Sequence, residues 1–215
     1  MALMSRVPLS PTATPAPGTS TTSTPSSRSL TSDGLANAKL SGINKPYLYI
    51  GGFGTMFAWH CEDLDLASIN FMHSGAAKFW YFVPARDQKK LELYMKSKYP
   101  QAFVECPQYF RHKTIVVNPY LVKQYNPSIH LTKLQQNPGE FIIIFDSVYH
   151  HGFNLGFNMA EAVNFATPGW LPRFPRFNFC RCHKDNVRIN PQYFCENLAA
   201  REIKSARVPK NARVY

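Results

Sequence analysis

Short apolar segments separated by turn residues fill the chain from about residue 46 onward. Six of these segments are rich in β-branched and aromatic residues and are bounded by glycine, proline or asparagine, which is typical of β-strands. They are residues 47–50, 56–62, 78–83, 114–117, 141–145 and 160–165. The pattern predicts a mostly β protein.

One segment, residues 86–99, has the periodicity of a helix instead. Leu91, Tyr94 and Met95 fall at positions i, i+3 and i+4 between charged residues, so they share one face of a helix. A proline lies near each end of the segment, as is common at helix boundaries. We therefore expect one or two helices inserted into a series of strands.

The N-terminal segment, residues 1–41, differs from the rest of the chain. It consists largely of serine, threonine, proline and glycine and has few side chains to bury. Such a segment cannot offset the entropy cost of ordering, so we predict a disordered tail. The sequence contains neither the apolar run of a secretory signal nor about twenty successive apolar residues, and we expect a soluble protein.

Basic residues outnumber acidic ones by 24 to 13 among the 215 residues, which gives a net charge of +11. The excess is concentrated in clusters that contain Lys89, Lys90, Lys96, Lys98, Arg173, Arg176, Arg201, Lys204, Arg207, Lys210 and Arg213. A solubilising surface and contact with nucleic-acid phosphates both account for this balance.

The most specific chemical signal is the pair His60 and Glu62, combined with the distant His150. Residues two apart on an extended strand point to the same side, so His60 and Glu62 share a face while Cys61 points away. Two imidazoles and one carboxylate can occupy one face of an iron(II) ion and leave the other face open for oxygen. We therefore predict that these three residues bind iron and form the catalytic centre, with His151 as the alternative third ligand. Many short antiparallel strands around such a metal predict a double-stranded β-helix of the cupin and jelly-roll type.

The five cysteines point to a second metal site. An odd number of cysteines without a secretory signal argues against a disulfide framework. Three cysteines and one histidine form a Cys3His set, which is typical of structural zinc: Cys106, Cys180, Cys182 and His112. His183 competes as the nitrogen ligand, and Cys61 and Cys195 are left over as buried or incidental thiols.

The candidate iron ligands lie in longer motifs, TMFAWHCED at 55–63 and YHHGFNLGFN at 149–158, with further matching stretches at 68–73, 78–84 and 139–141. Together they resemble the JmjC oxygenases, and most closely the histone-lysine demethylase branch that carries an extra zinc site. The resemblance extends from about residue 42 to about residue 194.

The resemblance implies a JmjC catalytic barrel over residues 42–168, followed by a zinc-binding C-terminal extension and basic tail over residues 169–215. It also assigns the zinc nitrogen to His112, because residues 106–113 and 179–185 match the two halves of the zinc site in that branch. Members of the branch carry a JmjN segment and further barrel strands upstream of the position of Tyr47. In this chain the low-complexity tail occupies the position of those upstream elements, so we expect an N-terminally incomplete barrel.

Iron in such a site needs electrons to activate oxygen, and 2-oxoglutarate supplies them by chelating the metal and losing carbon dioxide. Its second carboxylate then needs a cation inside the barrel. Lys78 stands in an otherwise apolar strand, where a charge is costly unless it is paired. In the resembled family the residues at Lys78 and Asn70 bind 2-oxoglutarate, and those at Phe57 and Trp80 form walls of its pocket. A Lys78 with its amine in water is the alternative.

The substrate side is predicted from Tyr47 and Tyr49, which share one strand face. Aromatic walls suit a methylated ammonium, which has a diffuse positive charge, although strand tyrosines are often simply core residues. In the resembled family the position of Tyr49 lines the methyl-lysine pocket. The positions opposite are Ala162, Val163 and Asn164, where some relatives have serine or threonine, so the pocket is less polar here; we expect Ala162 and Asn164 to contact substrate.

The implied function is that of a nuclear dioxygenase that uses iron(II) and 2-oxoglutarate to hydroxylate the N-methyl carbon of lysines on histone tails, with release of formaldehyde. Its basic surface would hold it near nucleosomal DNA without sequence specificity. Two alternatives remain: a weakly active or inactive chromatin-binding module of the same fold, and a hydroxylase of a non-histone protein.

Overall fold

The computed structural model describes residues 45–167, 169–170, 172–173, 180 and 182. The predicted tail over residues 1–41 lies outside the described residues. So do His183, Cys195, Arg176 and the basic residues from Arg201 onward.

Eight strands and three α-helices make up the described part of the chain. They are β1 (Tyr47–Gly51), β2 (Met56–His60), β3 (Ala67–Gly75), β4 (Lys78–Val83), α1 (Gln88–Lys98), α2 (Pro100–Glu105), α3 (Pro119–Tyr125), β5 (Thr132–Gln136), β6 (Phe141–Ile144), β7 (Tyr149–Asn154) and β8 (Asn158–Phe165). Three 3₁₀ turns lie at Asp63–Asp65, Ala85–Asp87 and Tyr109–His112. The longest of these helices, α1, has 11 residues, and no described helix is long and apolar enough to cross a membrane.

The strands form two four-stranded antiparallel sheets, with strand orders β1-β8-β3-β6 and β2-β7-β4-β5. Side chains from both sheets meet in an inner apolar cluster, in which Trp80 and Phe82 of β4 pack with Ile142 and Ile144 of β6. Two facing antiparallel sheets are the arrangement of a jelly roll. The predicted mostly β, jelly-roll type fold is confirmed.

A second apolar core joins the sheet that contains β2 and β7 to the helices. Trp59 of β2 and Tyr149 of β7 belong to the same cluster as Leu91, Tyr94 and Met95 of α1, and all five are almost fully buried. Full burial of each such side chain contributes about 1.5–3 kcal/mol, so this face anchors α1 to the sheet. The helical periodicity over residues 86–99 predicted that face correctly.

The segment 114–117 is not a strand, although its pattern predicted one. Ile115 and Val117 are buried and Val116 between them is exposed, which is the alternation of a half-buried strand. The Ile115 carbonyl accepts a hydrogen bond from the Trp59 amide at 2.9 Å, and the Val117 carbonyl accepts one from the Trp59 indole at 3.0 Å. The segment is therefore fixed by Trp59 rather than by a strand ladder.

The strands β3, β5 and β7 and the short helices α2 and α3 were not among the predicted elements. β3 and β7 contain Ser68, Asn70, His150 and Asn154, polar side chains that are buried rather than solvated. Polar residues lower the apparent strand propensity of a segment. Ser68, Asn70 and His150 line a cavity between the sheets, and Asn154 accepts a hydrogen bond from Lys78 in its wall.

Candidate functional site

His60, Glu62 and His150 come together between the two sheets. His60 and His150 are direct partners in the register of β2 and β7, and their ring centroids are 4.2 Å apart. Glu62 follows β2 in an extended backbone conformation, and its Oε1 lies 3.4 Å from His150 Nε2. The donor atoms of the three side chains lie within 4.8 Å of one another, a spacing at which one ion can bind all three.

Backbone carbonyl groups orient both imidazole rings. His60 Nδ1 lies 2.7 Å from the Ala58 carbonyl oxygen, and His150 Nδ1 lies 3.2 Å from the Val148 carbonyl oxygen. A carbonyl oxygen only accepts hydrogen bonds, so in the neutral form of each ring Nδ1 carries the proton and Nε2 has the lone pair. The two Nε2 atoms are therefore the atoms prepared for a metal.

A β-bulge in β2 places Phe57 and His60 on the same pocket wall. The register with β7 shifts between these two residues, which strict strand alternation would direct to opposite faces. Gly152 lies opposite Phe57 in β7. A Cβ atom at that position would collide with the Phe79 carbonyl oxygen and the Phe57 ring, so the glycine in the motif is required by close packing.

Electrostatics favour the protonation states that bind a metal. Burial, followed by the neighbouring His150, lowers the pKa of His60 to about 3. Burial alone would raise the pKa of Glu62, but the hydrogen bond and charge of His150, with help from His60 and the Ser68 hydroxyl, hold that pKa well below its usual range. At neutral pH the site therefore contains a neutral His60 imidazole and a Glu62 carboxylate, which are the forms a divalent ion requires.

His151 points away from the other candidate ligands. Its Nδ1 lies 2.6 Å from the Phe57 carbonyl oxygen, and its ring stacks on Tyr81 with a centroid separation of 6.0 Å and lies 5.3 Å from the Trp59 ring. The geometry favours His150 over His151 as the third ligand.

A cavity of about 160 Å³ adjoins the three candidate ligands. Besides those ligands, its wall contains Tyr49, Phe57, Ser68, Asn70, Lys78, Trp80, Lys113, Ile144 and Ala162. The wall includes all four residues predicted to bind the co-substrate. Apolar walls with a few convergent polar groups are typical of small-molecule sites.

Lys78 is a buried cation, and no carboxylate forms an ion pair with it among the residues that the structure describes. Its relative exposure is 6 %, and its Nζ donates a hydrogen bond of 2.6 Å to Asn154 Oδ1 and lies 5.6 Å from the centre of the Phe57 ring. Burial lowers the pKa of Lys78 to about 8, so the ammonium form still dominates at neutral pH. An amine in water does not fit this burial. Because a buried charge is costly unless it is paired, the pocket favours an anionic ligand.

The lowered pKa of Lys78 gives the metal-free protein a characteristic dependence on pH. Between about pH 8 and the ordinary lysine pKa of about 10.5, the unfolded chain holds a proton at Lys78 that the folded chain has lost, so this residue makes the free energy of unfolding rise with pH. Lys78→Met removes this contribution. We expect urea unfolding at pH 8 and pH 10 to show the parent gaining stability relative to the variant at the higher pH; a constant difference would contradict the burial of the amine.

A glutamine that the sequence analysis did not single out orients two of the pocket residues. Gln136 is fully buried; its Nε2 donates to Asn70 Oδ1 at 3.0 Å, and its Oε1 accepts from Trp80 Nε1 at 3.0 Å. Asn70 Oδ1 already accepts this hydrogen bond. The side chain of Asn70 can therefore interact with a ligand by donating its amide N–H groups. Gln136 gave no pattern in the sequence, since its partners lie 56 and 66 residues away.

Two of the four predicted substrate residues line the cavity, namely Tyr49 and Ala162. Tyr47 is the strand partner of Ala162 and contacts Tyr49 edge-on at 6.2 Å, but it does not belong to the cavity wall. Asn164 is buried and donates a hydrogen bond of 3.3 Å to the Ala67 carbonyl oxygen. Asn164 therefore supports the sheet in this structure.

The predicted zinc ligands also come together. Cys106 Sγ lies 3.7 Å from Cys180 Sγ, which lies 3.2 Å from His112 Nε2, and Cys182 completes a set of donor atoms within 4.8 Å of one another. Zinc–sulfur bonds of about 2.3 Å in a tetrahedron separate two sulfurs by about 3.8 Å, so the sulfur spacing fits a zinc ion. Burial, followed by the hydrogen bond with Cys182, raises the pKa of Cys106 to about 12, so metal binding here must displace a thiol proton.

Substituting a ligand of the Cys3His set should destabilise the protein. We expect Cys180→Ser to remove zinc and lower the melting temperature by about 5 °C or more, since a structural zinc contributes several kcal/mol to folding and 1 kcal/mol corresponds to about 2–4 °C for a chain of this size. Cys61→Ala is the control, because Cys61 is buried outside the set and should leave the zinc content unchanged. Metal analysis that finds no zinc in the folded parent would contradict the assignment.

The JmjC domain model, which describes a hydroxylase, matches residues 47–165. Lysine-specific demethylase 4B of Mus musculus is 42% identical over 159 residues, which cover 74% of this chain and 14% of that protein. Lysine-specific demethylase 4D of Rattus norvegicus is 41% identical over 159 residues, covering 74% of this chain and 31% of that protein. The chain thus spans less than a third of the length of either relative.

Proposed function

The chain belongs to the JmjC domain family, and from this premise we propose that it is an iron(II)- and 2-oxoglutarate-dependent dioxygenase that demethylates lysine side chains of histone tails. The observation that carries the proposal is the presence, in one cavity, of a candidate iron triad and of a buried cation that has no carboxylate partner among the described residues. A dioxygenase of this type needs both, whereas a structural metal site needs neither an open cavity nor a buried cation.

The donor set fits iron(II). His60 and His150 would supply their Nε2 atoms and Glu62 a carboxylate oxygen, and the adjacent cavity leaves the remaining positions of the ion open. Bound iron would supply oxygen activation, for which 2-oxoglutarate provides two electrons as it becomes succinate and carbon dioxide.

The residues of this chain bind and orient the co-substrate. The Lys78 ammonium would pair with the carboxylate of 2-oxoglutarate that is distant from the metal, and the Asn70 amide would donate a hydrogen bond to an oxygen of the same molecule. The rings of Phe57 and Trp80, whose centroids are 4.7 Å apart, would exclude water from this pair and strengthen its attraction. Asn154 holds Lys78 in place through the hydrogen bond from Nζ.

The proposed substrate is an N-methyl-lysine, in keeping with the names of the relatives. Tyr49 would place its ring beside the methylated ammonium, and Ala162 would leave room for methyl groups without offering a hydrogen bond. Hydroxylation inserts one oxygen atom into a methyl C–H bond. The C–N bond of the resulting N-hydroxymethyl group then breaks, so that formaldehyde leaves, the electron pair stays on the nitrogen and the hydroxyl proton is transferred to it. The Cys3His set would hold a structural zinc. We further propose a nuclear location and a salt-dependent contact of the basic surface with nucleosomal DNA.

A catalytically weak chromatin-binding module is the second candidate, and the exposure of β1 favours it. Tyr47, Leu48, Tyr49 and Ile50 are all exposed, and β1 lies at the edge of its sheet. Tyr49 of this exposed edge strand lines the cavity, and a cavity wall on an exposed edge strand would hold its ligands less firmly than an enclosed one.

The proposed activity is tested by incubating the protein with iron(II), 2-oxoglutarate, ascorbate and a trimethylated histone-tail peptide in air. We expect the peptide to lose methyl groups in mass spectrometry, with equal amounts of formaldehyde and succinate formed. Succinate without loss of methyl groups would favour hydroxylation of another protein. The absence of both succinate and demethylated peptide would favour the chromatin module.

A further inference from the structure

Two successive residues in the turn after Glu62 have a backbone conformation that is rare outside glycine. Leu64 has a φ angle of 58° and Asp65 one of 51°. A single left-handed residue of this kind is uncommon, and it persists only when the surrounding structure holds it.

Two side chains, the partly buried Arg111 and the buried Trp170, hold the turn by hydrogen bonds. Arg111 Nη2 donates hydrogen bonds of 3.1 and 3.2 Å to the two carboxylate oxygens of Asp65, whose relative exposure is 6 %. Trp170 is fully buried and donates a hydrogen bond of 2.8 Å from its indole to the Leu64 carbonyl oxygen. Both donors are near ligands of the Cys3His set in sequence, since Arg111 directly precedes His112 and Trp170 lies ten residues before Cys180.

The turn is closed directly on the candidate iron ligand. The amide of Asp65 donates a hydrogen bond of 3.0 Å to the Glu62 carbonyl oxygen. His60 and His150 are fixed by the ladder between β2 and β7, but Glu62 lies beyond the end of β2 and has no partner in that ladder. The position of the Glu62 carboxylate therefore depends on the turn, whereas the positions of the two imidazoles depend on the strand ladder.

We propose that Asp65, Arg111 and Trp170 form a clamp that positions Glu62 for metal binding. The proposal rests on the assignment of His60, Glu62 and His150 as a metal site. None of the three clamp residues lines the cavity beside the candidate ligands; they act through the backbone of the turn, so they are positioning residues. Partners that orient a metal ligand typically change metal affinity by about 10–100-fold when they are removed.

A second ion pair in the same place supplies a matched control. Lys113 Nζ lies 3.2 Å from Asp63 Oδ2, so this pair joins the same two segments as the pair of Arg111 with Asp65. Both side chains of this pair are about 40 % exposed, and exposed ion pairs contribute little to the stability of a protein. Asp63→Asn and Asp65→Asn remove the same charge from the same turn, and only the second breaks the clamp. Asparagine also tolerates a left-handed backbone, so Asp65→Asn does not add strain.

The test is an anaerobic titration with cobalt(II), followed by its visible absorption, on protein that first received one equivalent of zinc. Zinc fills the thiolate set, so cobalt bands without thiolate charge transfer report the open site. The titration is run at a temperature at which circular dichroism shows each variant to be folded. We expect Asp65→Asn to bind cobalt about 10–100-fold more weakly than the parent, and Asp63→Asn to bind it within about twofold of the parent.

A purely structural role for the clamp would lower the melting temperature of Asp65→Asn and leave the cobalt affinity of the folded protein unchanged, and that result would overturn the proposal. If Asp65→Asn does not fold, Trp170→Phe decides, because it keeps a buried ring and removes only the indole donor; we expect a loss of affinity of about 2–10-fold, as for one net hydrogen bond. Unchanged affinity in that variant would overturn the clamp. A parent that binds no cobalt would instead contradict the metal site itself, so the two failures are distinguishable.

Discussion

His150→Ala is expected to abolish iron binding and turnover while the protein stays folded. The variant loses one of the three candidate ligands, and the Nδ1 atom of the ring that it removes is fixed by the Val148 carbonyl group. An open site with three ligands contributes little to packing, so the fold should survive. Iron content after anaerobic reconstitution and formaldehyde release measure the two effects.

His151→Ala is the matched control for this variant, because it removes a neighbouring buried imidazole. His151 stacks on Tyr81 and hydrogen-bonds to the Phe57 carbonyl oxygen, so the control should lose stability and keep iron. Activity that persists in His150→Ala and disappears in His151→Ala would transfer the third ligand to His151.

Lys78→Met should weaken the binding of 2-oxoglutarate by at least about tenfold. Removal of one partner from a desolvated ion pair costs about 2–5 kcal/mol, and methionine keeps the length and apolar packing of the side chain. Iron binding should be unchanged. The stability of the metal-free protein should stay the same or rise, because a buried unpaired charge is gone and Asn154 Oδ1 still accepts a hydrogen bond from Asn158 Nδ2 at 2.9 Å.

Anaerobic calorimetry of 2-oxoglutarate binding to the iron-loaded protein measures this effect. Lys133→Met is the control, because Lys133 is an exposed lysine in the neighbouring strand β5. An affinity for 2-oxoglutarate in Lys78→Met equal to that of the parent would remove the main support for the dioxygenase.

The strand pattern and the metal motifs predicted the fold class and the grouping of the candidate ligands. The two-residue spacing of His60 and Glu62 was enough to predict that their side chains share a face, because the backbone stays extended through Glu62, beyond the last residue of β2. Alternation also explains why Cys61 packs into the helix-covered core, away from the pocket.

Other features depend on contacts that a local pattern does not contain. The bulge in β2 turns Phe57 toward the pocket against strict alternation, and here only the family resemblance gave its place. Gln136 and Asn154 orient pocket residues through partners more than fifty residues away. The segment 114–117 has the alternating pattern of a strand because Ile115 and Val117 are buried in the same apolar cluster as Trp59. The left-handed turn at Leu64 and Asp65 has no glycine or asparagine to signal it.

The central claim is that one cavity binds iron(II) and 2-oxoglutarate together. It is tested most directly by titrating the zinc-loaded protein anaerobically with iron(II) and 2-oxoglutarate and recording the visible charge-transfer band of the chelate. The dioxygenase account predicts a band that requires both additions, saturates at one iron per chain and is absent in His150→Ala. A folded parent that shows no band when both additions are in excess would contradict the account.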